Sequence, residues 1–116
     1  MKTKLLLSAF LLIAGLVSHG QWIYNNLSEP KAGIGATALG NKAYFAGGDN
    51  GTGNLSAVEI YDVLNESWDS ILNLSVPRIV PSCVSAGSKV FFAGGVDAYT
   101  NAVFSEVDIW DTVNGV

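Results

Sequence analysis

Two polar stretches of this sequence, 49–55 and 97–103, carry the side chains best suited to binding a ligand, and a third stretch, 72–78, ends in a cation. Together they offer carboxylate, amide, aromatic and guanidinium groups, and the first three of these are typical of sugar-binding surfaces. The candidate ligand-binding residues are Asp49, Asn50, Arg78, Asp97, Tyr99 and Asn101. The alternative interpretation is that these stretches are solvated loops with no ligand.

Catalysis and metal binding find little support in the same residues. Beyond residue 20 the chain has no histidine and one cysteine, Cys83, so it cannot assemble a Ser-His-Asp or Cys-His system or a zinc site. The run 49–54 begins like a calcium-binding loop, but glycines occupy its third and fifth positions, where an EF-hand loop has ligand side chains. We therefore predict no catalytic residue, no metal site and no cofactor. Since the formal net charge is −4, the sequence also predicts no nucleic-acid partner.

The first twenty residues are typical of a secretory signal peptide. Lys2 and Lys4 precede an apolar run at 5–17, and Ser18 and Gly20 place small residues before a cut at Gln21. The apolar run is too short to span a bilayer. We expect export of bacterial type to the cell surface or medium, with no membrane span after cleavage. The remaining chain would have four basic and ten acidic residues, a formal charge of −6.

The rest of the chain repeats itself. Residues 26–48 match residues 73–95 at a shift of 47, with ten of 23 positions identical. Beyond these blocks the shift becomes 49, so that 56–62 matches 105–111, while Trp22 matches Trp68 at a shift of 46. Changes in length thus fall between the matching blocks, where loops tolerate them.

The matching blocks have the pattern of β-strands. Apolar and polar residues alternate at 58–61 and 107–110, short apolar runs stand at 43–46 and 90–93, and two-residue turns at 40–41 and 87–88 predict hairpins. The sequence predicts an all-β fold, with no helical period outside the signal peptide. The predicted strands are 34–39, 42–46, 56–61, 66–71, 80–86, 89–93 and 103–110.

These blocks resemble kelch repeats, whose pattern is a strand ending in Gly-Gly, then a loop, Tyr-Asp and a later Trp. The period also agrees with the roughly 50 residues of a kelch repeat. The residues that carry the resemblance, with expected structural roles, are Gly47, Gly48, Tyr61, Asp62 and Trp68 in the first copy and Gly94, Gly95, Trp110 and Asp111 in the second. Trp110 replaces the tyrosine of the pattern.

The resemblance implies a partial kelch-type β-propeller of about two four-stranded antiparallel blades after an N-terminal signal helix. It divides the chain into a signal peptide at 1–20, the closing strand of an absent blade at 21–25, a first kelch repeat at 26–71, and a second at 72–116 that stops before its fourth strand. A propeller needs about four to eight blades. We therefore expect the remaining blades in a longer chain.

Most kelch propellers bind proteins or glycans through loops on one face, and the resemblance implies such a role here. We predict an exported kelch-repeat module that binds a glycan or a protein through its loops. One alternative is a fragment of a propeller enzyme that acts on carbohydrate, similar to galactose oxidases or sialic-acid mutarotases. The other is a truncated fragment without function.

Overall fold

The computed structural model describes residues 19–115 of the chain. The predicted signal helix falls on residues outside this range, apart from the two at the expected cleavage site. Among the described residues all regular structure is β, and every strand pairing is antiparallel. The predicted all-β fold is therefore confirmed, with two antiparallel sheets, one built from each repeat.

The first sheet is built from the first repeat. Its strands are β1 (Gly35–Leu39), β2 (Lys42–Ala46), β3 (Ala57–Asp62), β4 (Ser67–Trp68) and β5 (Leu72–Asn73). β1, β2 and β3 form a meander, and β4 and β5 both pair with the outer edge of β3. The register joins Tyr61 to Trp68 but Val58 to Leu72, which differs by one residue. Of the predicted strand at 66–71 only β4, at 67–68, forms, and β5 lies beyond it in the stretch at 72–78 that the sequence predicts as a loop. Along β3 the two short strands are offset by one extra residue, as in a β-bulge.

The second sheet is built from the second repeat and has three strands among the described residues, β6 (Ser82–Ala86), β7 (Lys89–Ala93) and β8 (Val107–Asp111). In this sheet two predicted strand starts are wrong by two residues or more. β6 begins at 82 and not at 80, because Val80 has a φ of +45° that no strand residue adopts. β8 begins at 107 and not at 103, because Val103 makes only an isolated bridge to Val96.

The core lies between the two sheets. We call the side of the first sheet that carries Tyr44, Val58 and Ile60 its front face, and the side of the second sheet that carries Val90 and Phe92 its back face. These five residues are buried together, and the rings of Tyr44 and Phe92 meet edge to face with centroids 6.5 Å apart. The front face of the first sheet therefore packs on the back face of the second.

The two remaining sheet faces are not covered in this way. The back face of the first sheet carries Ala43, Phe45 and Tyr61, and the front face of the second carries Val107 and Ile109, the repeat equivalents of Val58 and Ile60. Val107 and Ile109 are 52% and 48% exposed. Within the short apolar runs at 43–46 and 90–93, buried residues therefore alternate with partly exposed ones. Each sheet has one well-covered face.

Residues 21–25 form no strand in the part of the chain that is described, and Trp22 and Tyr24 are exposed. Their assignment to the closing strand of a further blade stays a prediction.

No helix between residues 19 and 115 is long and apolar enough to cross a membrane.

Candidate functional site

The two candidate loops leave equivalent strands through equivalent glycine pairs. Gly47 and Gly48 follow β2 with φ values of +68° and +107°, and Gly94 and Gly95 follow β7 with +64° and +110°. Such left-handed conformations are strained for residues with a side chain. The matching angles show that the repeated Gly-Gly turns the chain in the same way where it leaves β2 and where it leaves β7.

The glycines also permit close contact between backbones. A Cβ atom on Gly48 would lie 2.9 Å from the Ala32 carbonyl oxygen, and one on Gly95 would lie 2.6 Å from the equivalent oxygen of Ile79. A Cβ atom on Gly47 would lie 2.3 Å from the Arg78 carbonyl oxygen, which accepts a hydrogen bond from the Gly48 N–H at 3.0 Å. The first Gly-Gly pair therefore joins the first repeat to the second.

The loop at 49–55 is held by its own polar side chains. Asp49 Oδ1 accepts a hydrogen bond from the Gly51 N–H at 2.7 Å, and Asn50 Oδ1 accepts from the N–H groups of Thr52 and Gly53 at 3.0 and 3.1 Å. These are local Asx contacts that fix a turn without regular structure. The backbone of Asp49 also pairs with Ala32, which ties the base of the loop to the chain that enters the first sheet.

The loop at 97–103 is ordered by the same device. Asp97 Oδ1 accepts hydrogen bonds from the N–H groups of Tyr99 and Thr100 at 2.8 and 3.1 Å. These donors stabilise the carboxylate, so they hold the pKa of Asp97 below its usual value. Asn101 adopts a φ of +59°, a conformation that asparagine tolerates better than most residues, and its N–H bonds the Asp97 carbonyl.

The structure brings the two loops together. The Ala98 N–H donates to Asn54 Oδ1 at 3.1 Å, which links the loop of one repeat to that of the next. The Asp49 carboxylate raises the pKa of the Tyr99 hydroxyl, because a nearby acceptor with a negative charge disfavours the ionised phenol. Asp49 Oδ2 is buried and has no hydrogen-bond donor among the described residues, and Tyr99 is 56% exposed.

We call the surface formed by these two loops the loop face. It comprises five of the residues singled out in the sequence and one that the sequence did not single out. They are Asp49, Asn50, Asn54, Asp97, Tyr99 and Asn101. The signal that could have found Asn54 is its position at the end of the first loop, opposite the loop of the second repeat.

Arg78 does not belong to the loop face. Its side chain is completely buried, and its guanidinium donates to the carbonyls of Val76 and Phe92 at 3.2 and 3.0 Å and to Asp108 Oδ2 at 3.0 Å. A cation enclosed by these acceptors cannot at the same time lie on a ligand surface. We therefore replace its predicted ligand-binding role by a structural one at the contact between the two sheets.

The same ion pair occurs in the first repeat. Lys31, the repeat equivalent of Arg78, pairs with Glu59, and both side chains are nearly inaccessible to solvent. Each carboxylate also accepts a backbone N–H, that of Ser28 for Glu59 and that of Ser75 for Asp108. Burial acts to raise the pKa of Glu59, but the Lys31 ammonium and the Ser28 N–H outweigh it and leave that pKa lowered.

Asp62 and Asp111 fix equivalent turns after β3 and β8. Asp111 Oδ1 accepts from the N–H groups of Val113 and Asn114 at 3.0 and 3.2 Å, and its other oxygen pairs with Lys89. Asp62 makes the same contacts with Leu64, Asn65 and Lys42. The Lys89 ammonium, together with these donors, holds the pKa of Asp111 far below its usual range. This is the structural role that the sequence predicts for both residues.

The aromatic residues of the repeat pattern pack on the sheets. Trp110 lies against the core between the sheets, whereas Trp68 meets Phe45 and Tyr61 edge to face, at centroid distances of 6.1 and 5.2 Å, on the back face of the first sheet. A cavity of about 380 Å³ adjoins this group and is also lined by Ile23. The Trp68 indole N–H donates to Asn25 Oδ1 at 3.1 Å.

No group of three or more histidine, cysteine or carboxylate side chains able to hold a metal ion occurs within residues 19–115.

Comparison with protein families gives one match, to the model described as Kelch motif, over residues 30–72. This range covers β1 to β4, the first Gly-Gly pair and the first residue of β5. Comparison with curated proteins gives no match.

Proposed function

The chain carries a kelch repeat at residues 30–72, and from this premise we propose that it is an exported module that binds a protein or glycan ligand through the loop face. Kelch repeats most often serve as binding modules, and their ligands contact loops on one side of the sheets. The hydrogen bond between Ala98 and Asn54 is the observation that carries the proposal, because it fuses the loops of two repeats into one surface.

The order of the loop face supports binding. A ligand that meets a preformed surface does not have to order it, so less binding free energy is lost. Here the backbone of both loops is fixed by Asp49, Asn50 and Asp97, while Tyr99 remains accessible. Tyrosine supplies a large apolar surface with a polar end and few rotatable bonds, which suits it to a binding surface.

The charge of the loop face restricts the ligand. It presents the carboxylate of Asp97, and the partly buried carboxylate of Asp49 adds a second negative charge. Arg78, the cation that the sequence assigned to this surface, is buried and paired. A protein segment with amide or basic groups would complement this surface, and so would a neutral glycan whose hydroxyls bond the Asp97 carboxylate while a ring packs on Tyr99. An acidic ligand would be repelled.

Export of the module is supported by the predicted signal peptide at 1–20. Secretion would place the loop face outside the cell, where glycans and surface proteins are accessible. The single cysteine, Cys83, is compatible with this, since an internal disulfide needs two.

The binding proposal is tested on an array of immobilised glycans beside an array of basic and neutral peptides. We expect the purified chain to bind members of one array, and Tyr99→Ala to weaken that binding about tenfold or more through loss of the ring contact. Tyr24→Ala is the matched control, because Tyr24 is exposed but lies outside the loop face. Binding that is lost equally in both variants, or in neither, would contradict the proposal.

A further inference from the structure

The contact between the two repeats is made by a set of backbone hydrogen bonds. The Gly48 N–H donates to the Arg78 carbonyl at 3.0 Å, and the Arg78 N–H donates to the Leu55 carbonyl at 3.2 Å. The Leu74 N–H donates to the Ser56 carbonyl at 2.8 Å. Each bond joins a group of the first repeat to the segment that leads into the second sheet.

The repeat equivalents of these groups have no backbone partner among residues 19–115. On the second repeat they are the N–H of Gly95 and the carbonyls of Phe104 and Ser105. On the segment that leads into the first sheet they are the N–H and carbonyl of Lys31 and the N–H of Leu27. Donors of each set match acceptors of the other, so the second repeat of one molecule offers what the first repeat of another requires.

The apolar faces show the same complementarity. The front face of the second sheet repeats the covered front face of the first, with Val107 and Ile109 in place of Val58 and Ile60. The back face of the first sheet repeats the covered back face of the second, with Phe45 and Tyr61 in place of Phe92 and Trp110. Both open faces therefore belong to the type of interface that already exists between the sheets.

The glycine pair of the second repeat is also open to such a contact. The Cβ position of Gly47 is blocked by the Arg78 carbonyl, but a Cβ atom on Gly94 would meet only the Phe104 carbonyl oxygen, at an ordinary 3.5 Å. The position beside Gly94 that corresponds to the Arg78 carbonyl beside Gly47 is therefore not filled by a backbone group of the described residues. The Lys31 peptide, which is the repeat equivalent of the Arg78 peptide, fits that position.

We propose that the chain associates head to tail, with the first sheet of one copy packed by its back face on the front face of the second sheet of another copy. The partner is a second copy of this chain because its Lys31 segment and aromatic face repeat the elements that the interface between the sheets already uses. Such a contact is heterologous, so it leads to rings or to open filaments and not to a two-fold dimer.

The N-terminal segment gains a strand partner in this arrangement. In the first sheet Val58 pairs with Leu72 and Tyr61 pairs with Trp68, across the bulge. The repeat shifts turn these pairs into Val107 with Asn25 and Trp110 with Trp22.

The two new pairs fall in one continuous antiparallel register, without a bulge, because the spacing from Trp22 to Asn25 is one residue shorter than that from Trp68 to Leu72. Residues 21–26 of one copy therefore pair with the outer edge of β8 of the next. They cannot reach β8 of their own chain, because the Ser28 N–H is bonded to Glu59 of the first sheet, which stands between them and the second.

Cysteine trapping tests this register. In a Cys83→Ala background, one preparation carries Asn25→Cys and another carries Val107→Cys, and the two are mixed under mild oxidation. Opposed residues of antiparallel strands lie about 4.5–5.5 Å apart, within reach of a disulfide. We expect a linked dimer from this pair, and little from Asn25→Cys with Glu106→Cys, because a shift of one residue turns the side chain to the other face.

Sedimentation velocity tests the association itself. We expect the average mass of the purified chain to rise with concentration, and Val107→Lys to weaken the association about tenfold or more, because it places a charge in the apolar contact. Val107 is exposed, so this variant should keep the β-sheet circular dichroism of the parent. The variant Ile23→Pro/Tyr24→Pro should have the same effect, since two adjacent prolines remove at least one hydrogen-bond donor from the strand edge.

The control variant is Leu64→Lys. It also places a charge on an exposed apolar side chain, but one that lies outside the contact between the sheets. Leu64 lies in the turn after β3 and is 73% exposed, although the front face of its sheet is covered. Its equivalent Val113 lies in the turn after β8 and is 76% exposed, although the back face of that sheet is covered. We therefore expect Leu64→Lys to associate like the parent.

A parent chain that remains monomeric at high concentration and gives no linked dimer would overturn the proposal. Association that Val107→Lys and Leu64→Lys change equally would overturn it too, because another surface would then be responsible. So would a monomer in which the Val107→Cys thiol resists alkylation, since a segment of the same chain would then cover the face.

Discussion

The contribution of the Gly47–Arg78 contact between the repeats can be measured by substituting the first glycine of each pair with alanine. Both Gly47 and Gly94 have left-handed φ values, of +68° and +64°, so alanine meets the same backbone strain of roughly 1–2 kcal/mol at either position. At Gly94 the new Cβ finds one carbonyl oxygen at 3.5 Å, whereas at Gly47 it would lie 2.3 Å from the Arg78 carbonyl oxygen. The Arg78 peptide must move, and the Gly48 N–H then loses its acceptor.

A buried donor without an acceptor costs roughly 1–3 kcal/mol. We therefore expect Gly94→Ala to lower the free energy of unfolding by about 1–2 kcal/mol and Gly47→Ala by about 2–5 kcal/mol. The assay is urea unfolding followed by tryptophan emission, at a concentration dilute enough for sedimentation to show a monomer. Equal losses for the two variants, within about 0.5 kcal/mol, would refute the inference that the Gly47 contact holds the repeats together.

Three further predictions address acidity, the buried ion pairs and export. The pKa of Asp111 is lowered in the folded chain, chiefly by Lys89, so its contribution to stability is present above about pH 4 and is lost as the pH falls further. We therefore expect the urea midpoint of unfolding to fall less steeply between about pH 6 and pH 2 in Asp111→Asn than in the parent. Glu59→Gln leaves the Lys31 charge buried without its partner and should cost about 3–5 kcal/mol, much of which Lys31→Met should restore in the double variant; a neutral Glu59→Gln in urea unfolding would refute this. Material recovered after secretion should give an N-terminal sequence beginning at Gln21, and a retained leader on folded, exported protein would contradict the predicted cleavage.

The strands and hairpins could be predicted because their signals are local. Alternation at 58–61 and 107–110 and the turns at 40–41 and 87–88 depend on neighbouring residues alone, and β2 and β7 have the predicted bounds. The repeat then identified which glycines and aspartates are equivalent. The bulge between β4 and β5 could not be predicted, because it depends on how one sheet edge continues toward the next sheet.

The position of Arg78 shows where local signals end. It follows a proline, at the end of a stretch in which apolar and polar residues alternate, and these local features suggested an exposed loop cation. Its partner Asp108 lies 30 residues later, on a strand of the second sheet, and the direction of the side chain depends on packing that no short window contains. The repeat held a non-local signal, since Lys31 and Glu59 stand at the equivalent positions.

The loop face was predictable in its members but not in its assembly. The residue types of Asp49, Asp97 and Tyr99 suggested a binding surface, and each loop is ordered by contacts over two or three residues. The bond from Ala98 to Asn54 joins residues 44 apart, and it exists because the two sheets stack with their loops on the same side.

Amide hydrogen exchange followed by NMR tests most directly that the sheets of the two repeats stack and thereby join their loops. The N–H groups of Gly48 and Arg78 bond across the repeats, and that of Ala98 bonds between the loops. The account predicts that the Gly48 and Arg78 amides exchange nearly as slowly as those of Tyr44 and Phe92 inside the strands, and that the more exposed Ala98 amide exchanges more slowly than an amide without a hydrogen bond. Slow exchange in the strands with fast exchange at all three amides would show that the sheets form without stacking, and would contradict the account.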